Sequence, residues 1–296
     1  RMSRGLGDVY KRQSSATTVM VVSFVNAGLL TLTQSIGVIM GANIGTTVTA
    51  WLISALGFKV DIAAFALPLL AFGIPLLFSG KSSRKSVGEF IFGFSFLFMG
   101  LQALKANAPD LGANPEMLAF VQNYTDMGFL SIILFLFIGA ILTMIVQASA
   151  ATMAITLIMC ANGWIDYHLG VALVLGENIG TTITANLAAL TGNTQSRRAA
   201  LAHLVFNIFG VMWVLVLFYP FTAAVSWFVT DVMNISDPAV AVSFKLAAFH
   251  TAFNISNTFI MIWFVGLIEK TVCFLIKGKK DEDEEYRLRY ITGGML

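Results

Sequence analysis

The sequence predicts an all-α polytopic membrane protein made of two inverted-topology repeats, with re-entrant helical hairpins and broken transmembrane helices. Three observations carry that expectation: a composition too apolar for water, two polar phrases that each occur twice, and basic loops that fall on one side of the resulting threading. The 296-residue chain is 57% hydrophobic and 11% charged, with a mean hydropathy of +0.81. A soluble domain carries about 25% charged residues. Here apolar runs of about 20 residues, enough to cross a bilayer, recur along the chain. A large soluble helical core would need long polar faces, and none is written here.

Charge and cysteine usage exclude several classes. A net charge of +2 names no partner, and no basic patch interleaved with aromatics points to nucleic acid. Cys160 and Cys273 lie far apart in apolar segments, and His168, His203 and His250 form no metal motif. Neither a disulfide framework nor a metal site is therefore expected. The basic start RMSRGLGDVYKR is followed by no signal-peptide cleavage pattern.

In chain order, QSSATT (13–18) opens a short returning helix, followed by spans near 29–57, 61–79 and 87–105. The loop 106–127 leads to the apolar helix FLSIILFLFIGAILTMIV (129–146), and QASAAT (147–152) then repeats the first phrase. The second phrase is IMGANIGTT at 39–47 and VLGENIGTT at 174–182. From Gln13 to Gly41 is 28 residues and from Gln147 to Gly176 is 29, so both phrases recur in the same order at nearly the same spacing. A hairpin that enters and returns does not cross the membrane. Three crossings then separate the copies, and the second copy must be inverted.

Charge placement supports this threading. The segments KSSRK (81–85), QSRR (195–198) and KGKK (277–280) fall on one side, where cytoplasmic loops should carry excess Lys and Arg. The loop 106–127, with Asp110, Glu116 and Asp126, and NISDP (234–238) fall on the other. The C-terminus is thus expected in the cytoplasm. Repeat one covers 13–127 and repeat two 128–276. Residues 1–12 are expected to be a leader foreign to the native protein, standing where a helix equivalent to 129–146 should precede Gln13. Lys11 and Arg12 at midplane depth would cost several kcal/mol. The alternative is a genuine cytoplasmic N-terminus with Gln13 at the interface. After residue 276 the sequence turns abruptly to a charged cytoplasmic tail, 277–296.

Polar phrases inside apolar spans call for a chemical reason. Gly41, Gly45, Gly176 and Gly180 would permit a break that splits each span into half-helices lining protein or a watery cavity. The freed carbonyls suit a cation, and the freed N–H groups at a helix N-terminus suit an anion. Asn and Thr oxygens add neutral ligands. Serine hydroxyls at a hairpin tip can donate to phosphate-type oxygens or accept around Na+. This is the plan of a secondary transporter, a carrier and not an enzyme. The competing reading of the small residues is close helix packing. Glu177, whose counterpart is Ala42, reads as an ion ligand, a proton carrier or a helix cap. His203-x-x-Phe206-Asn207 and His250-x-x-Phe253-Asn254 each put His and Asn on one helix face. They read as interhelical hydrogen bonding in preference to substrate contact.

QSSATT, GANIGTT, QASAAT and GENIGTT, in this order and spacing, resemble the type II sodium-dependent phosphate cotransporter family, in its bacterial form. GAILTMIVQASAAT (139–152) is similar to that family's approach to its second signature, with Thr143 four residues before Gln147. The resemblance covers about residues 13–270. It implies Na+-coupled movement of inorganic phosphate by alternating access in the bacterial inner membrane. On these grounds phosphate is expected on Gln13, Ser14, Ser15, Gln147 and Ser149. Na+ is expected on Thr18, Asn43, Thr46, Thr47, Thr152, Glu177, Asn178, Thr181 and Thr182. Ala148 and Ala150 replace serines of the family pattern, leaving repeat two fewer hydroxyls. Arg84, Arg197 and Arg198 are placed in loops, so phosphate would be held by hydroxyls and helix N-termini. The charged tail is similar to the linker that leads, in bacterial members, to a PhoU-like domain. Expected partners are inorganic phosphate, Na+ as coupling ion with no other cofactor, the lipid bilayer and a second copy in a homodimer. Two further readings stay open: a membrane regulator that binds phosphate without cycling, and a carrier of another small anion.

Overall fold

The computed structural model describes residues 16–57, 62–107 and 124–278. The predicted leader 1–12, and all but the first two residues of the tail, lie outside the described residues. The regular elements are all helices: α1 (Ala16–Asn26), α2 (Leu32–Gly57), α3 (Ile62–Leu77), α4 (Ser82–Ala106), α5 (Phe129–Val146), α6 (Ser149–Ala161), α7 (Tyr167–Ala189), α8 (Thr194–Val216), α9 (Phe218–Trp227), α10 (Pro238–Met261) and α11 (Val265–Leu275). A π-helical turn, Phe228–Val232, prolongs α9, and a 3-10 turn, Ile262–Phe264, joins α10 to α11.

Among the described residues, five stretches are long and apolar enough to cross a bilayer: Leu32–Gly57, Ser82–Ala106, Phe129–Val146, Thr194–Val216 and Pro238–Leu275. The outside is apolar as well. Phe78 is 85% exposed, Val216 81% and Trp263 78%, a surface that is stable against lipid and not against water. α1 and α6, with 11 and 13 residues, are about 16 and 20 Å long and too short to cross. The span expected at 61–79 is also shorter. α3 has 16 residues with Pro68 and Pro75 inside it, and it is not among the five.

α7 is the centre of the fold, packed by α1, α5, α6, α8 and α10. It too is missing from the five, although it has 23 residues. Glu177, Asn178 and its threonines lower its hydropathy, and they are shielded from lipid by the surrounding helices. Side-chain caps fix where the main helices begin. Asp166 Oδ1 accepts from Leu169 N at 2.8 Å to start α7, and Asn193 Oδ1 accepts from Ser196 N at 2.8 Å to start α8. Asp237 accepts from both Ala239 N and Val240 N, with Pro238 at the first helical position of α10. The turn before α8 is also tied to the end of α1: Asn193 N donates to Asn26 Oδ1 at 2.7 Å, and Asn193 Nδ2 to Asn26 O at 3.0 Å.

The expected helix breaks do not occur. α2 and α7 run unbroken through GANIGTT and GENIGTT. Each phrase's threonine pair back-bonds to its own helix: Thr46 to Asn43 O at 2.7 Å, Thr47 to Ile44 O at 2.8 Å, Thr181 to Asn178 O at 2.9 Å and Thr182 to Ile179 O at 2.7 Å. The helical ladder therefore continues, and no half-helix ends are freed for ions. In α7 the glycines serve close packing instead. A Cβ on Gly176 would lie 2.0 Å from Leu136 O, and one on Gly180 would lie 2.6 Å from Ala140 O, both in α5. From the other side, a Cβ on Gly139 would lie 2.3 Å from Leu173 O. Here the competing reading of the small residues is the correct one.

The loop placement of Arg84, Arg197 and Arg198 is also corrected, because α4 begins at Ser82 and includes the first, and α8 begins at Thr194 and includes the other two. Arg198 is buried, and its Nε donates to Ile276 O at 3.0 Å just beyond the end of α11. A guanidinium there satisfies a carbonyl that the helix end leaves open.

Candidate functional site

Half of the residues that the sequence singles out converge on one cavity of about 50 Å³. Its lining is Thr17 and Thr18 of α1, Ala42, Asn43 and Thr46 of α2, Ser149 of α6, Glu177, Asn178 and Thr181 of α7, His203 of α8 and His250 of α10. Drug-sized ligands need about 300–1,000 Å³. A space this small, which holds water only in ones and twos, suits inorganic ions.

Local helix geometry explains the convergence. In α2, Asn43 and Thr46 are three residues apart, and in α7 so are Asn178 and Thr181, so each pair shares a face. Glu177 is 3% exposed and its Oε2 has no hydrogen-bond partner among the described residues. His203 Nε2 lies 3.3 Å from Asn43 Oδ1, joining α8 to α2, while His203 Nδ1 and Asn43 Nδ2 are buried without partners among the described residues. On the other side, Asn254 Nδ2 approaches Asn178 Oδ1 at 3.5 Å and donates to His250 O at 2.9 Å. Asn178 Nδ2 donates to Val174 O at 2.8 Å. Among the described residues, no arginine or lysine lines the cavity.

Of the expected site residues, Thr18, Asn43, Thr46, Ser149, Glu177, Asn178 and Thr181 line this cavity. Gln13, Ser14 and Ser15 lie outside the described residues. Thr47, Thr152 and Thr182 are buried but turned away from it, with their hydroxyls on carbonyls of their own helices. Gln147 is exposed and does not line it either. It forms the left-handed C-cap of α5 at φ 54°, with its N–H on Thr143 O at 2.8 Å. Sequence reasoning missed Thr17, Ala42, His203 and His250 as lining residues. For the histidines the signal was present: the shared His/Asn face of each HxxFN was read, but what it faces was not.

Comparison with known proteins bears on what this cavity belongs to. The family model described as Na+/Pi-cotransporter matches residues 9–106 and 113–230. YqeW of Bacillus subtilis is 30% identical over 271 residues, covering 90% of this chain and 81% of that protein. YjbB of Escherichia coli, provisionally named for inorganic phosphate export, is 26% identical over 288 residues, 96% of this chain. The chain spans 49% of that longer relative. The rat sodium-dependent phosphate transport protein 2B is 41% identical over 97 residues, 31% of this chain and 13% of that protein. No solved structure matches the chain. With the family match running through both copies of the repeated phrases, the chain belongs to the Na+/phosphate cotransporter family.

Proposed function

We propose that the chain is the membrane core of a Na+-coupled carrier of inorganic phosphate that works by alternating access. The observation that carries this reading is the joint construction of the cavity. Thr18, Asn43 and Thr46 come from the first copy of the repeated phrases, and Ser149, Glu177, Asn178 and Thr181 from the second. A site shared by two repeats can be exposed to either side by moving one repeat against the other. In this reading the repeats are 13–127 and 128–276, inverted relative to each other. α1 and α6 are then the returning legs of re-entrant hairpins. The protein sits in a bacterial inner membrane with its C-terminus in the cytoplasm, as the basic segments 81–85, 195–198 and 277–280 favour.

Direction of flux is a separate matter. A symporter runs whichever way the combined Na+ and phosphate gradients point, and the name of YjbB favours outward phosphate flux in the cell. The test is uptake of labelled phosphate into proteoliposomes, with an inward Na+ gradient and with K+ in its place. Uptake with Na+ alone is the expected result. Equal uptake with both cations would leave a carrier without Na+ coupling. Binding without any flux, in folded protein, would favour a regulator that does not cycle.

A further inference from the structure

Counting donors and acceptors around the cavity sharpens the reading above, on which it rests. Thr46 and Thr181 each have one hydroxyl proton, and each spends it on a carbonyl one turn back. They can accept hydrogen bonds or ligate a cation, but they cannot donate to an anion. Unspent N–H capacity lies in the pair Asn43 and His203, beside a second cavity histidine, His250, whose Nδ1 is also buried without a partner among the described residues. If His203 Nε2 donates to Asn43 Oδ1, the Asn43 amide keeps its N–H groups and His203 Nδ1 is a bare acceptor. If the amide is turned the other way, His203 Nδ1 carries the proton and Asn43 Nδ2 keeps one N–H. The pair offers a free donor under either assignment. In the same cavity Glu177 Oε2 is buried and without a partner among the described residues. A buried carboxylate left empty is costly; its own proton, a cation or a donating ligand relieves it, and an unprotonated Glu177 is an acceptor for a donating ligand.

An oxyanion that satisfies both the Asn43–His203 pair and an unprotonated Glu177 must accept hydrogen bonds on some oxygens and donate one from another. Hydrogen phosphate and hydrogen arsenate do this through their P–OH or As–OH groups. Sulfate, of the same shape and fully deprotonated at neutral pH, offers lone pairs only. We infer that the Asn43–His203 pair and Glu177 form a selectivity site for protonated tetrahedral oxyanions, with Glu177 accepting the oxyanion's own hydroxyl. Asn43 thereby moves from the Na+ set, where the sequence placed it, to the anion. His203 becomes a binding residue. A site that hydrogen-bonds a ligand hydroxyl strongly rejects an analogue that lacks it.

The test is equilibrium binding of labelled inorganic phosphate to purified protein at saturating Na+, with arsenate and sulfate as competitors. It needs no transport. Arsenate should compete within a few-fold of phosphate, and sulfate should be weaker by on the order of tenfold to a hundredfold. Glu177→Gln replaces a pure acceptor with a group that can also donate, so it should narrow the gap between phosphate and sulfate by roughly tenfold. Asn43→Ala should weaken phosphate binding without changing the Na+ concentration needed for half-saturation. Each variant is first checked for an unchanged gel-filtration profile and melting temperature. His203→Phe, which removes the ring nitrogens beside Asn43, stands in if Asn43→Ala does not fold and should weaken phosphate binding in the same way. Sulfate competing as well as phosphate in the wild type would overturn the inference while leaving the carrier reading intact. So would a Glu177→Gln variant that shifts only the Na+ requirement, since Glu177 would then be a cation ligand and nothing more. Absence of any oxyanion binding to folded wild-type protein would overturn the inference together with the assignment of the cavity to phosphate.

Discussion

Gly176 and Gly41 occupy the same place in the same phrase. A Cβ on Gly176 would lie 2.0 Å from a backbone oxygen of α5, and a Cβ on Gly41 would meet nothing within 4 Å. The contrast holds one turn further on, where Gly180 is closed against Ala140 and Thr143 and Gly45 faces open space. On α7 the missing Cβ lets two helices approach until backbone touches backbone. On the corresponding face of α2, Gly37, Gly41 and Gly45 recur every four residues with no neighbour among the described residues, and Val38 and Val48 are exposed beside them. One phrase thus does two jobs. Its Asn and Thr face a cavity in both copies, while its glycines bear a packing load in only one.

Substitutions can break that comparison, and the largest effect is expected at Gly176. An alanine there must displace α5 backbone, which cannot rotate away as a side chain would. A loss of about 3 kcal/mol or more is expected, read as a lower melting temperature and poor recovery of folded protein from membranes. A wild-type melting temperature for Gly176→Ala would show that α5 and α7 are not in contact as described.

A smaller effect is expected at the asparagines. Asn178 is held by Val174 O and approached by Asn254, so Asn178→Ala should cost about 1–2 kcal/mol. Asn43→Ala removes an amide whose Nδ2 has no partner, so its melting temperature should move less than that of Asn178→Ala. Equal losses for the two would mean that Asn43 is as much a structural residue as its counterpart. The smallest effect, and of opposite sign, belongs to Gly45→Ala. With no neighbour to strike, the added methyl should raise helix stability by about 0.5–1 kcal/mol, since glycine is the poorer helix former. A marked loss on Gly45→Ala would reveal that something packs on this face in the membrane.

These contrasts also show where sequence reading stops. The apolar helix 129–146 is found at Phe129–Val146, because an uninterrupted apolar run bounded by Gly128 and Gln147 has no other reading in lipid. The meeting of the repeated phrases at one cavity follows from their repetition, and Thr18, Asn43, Thr46, Ser149, Glu177, Asn178 and Thr181 all reach it. The helix breaks were misread because a glycine that permits a bend and a glycine that permits contact look alike. What lies opposite decides between them, and Leu136 and Ala140 are some forty residues away in the chain. Gln147 lies off this cavity for a related reason. The resemblance made it a ligand, while its place after an apolar helix makes it a left-handed cap. Arg198 looked like a loop residue because its partner, the carbonyl of Ile276, is distant in sequence.

The two hydrogen bonds between Asn26 and Asn193 carry a mechanical consequence. They fasten the end of α1, from the first copy, to the turn that joins α7 and α8 in the second. Any rocking of one half of the chain against the other must either part this clasp, at about 0.5–1.5 kcal/mol for each exposed bond, or drag α1 along with its adopted neighbours. If the clasp holds through the cycle, the hinge of the machine does not coincide with the seam between its duplicated halves. The mobile body would then be assembled from pieces of both.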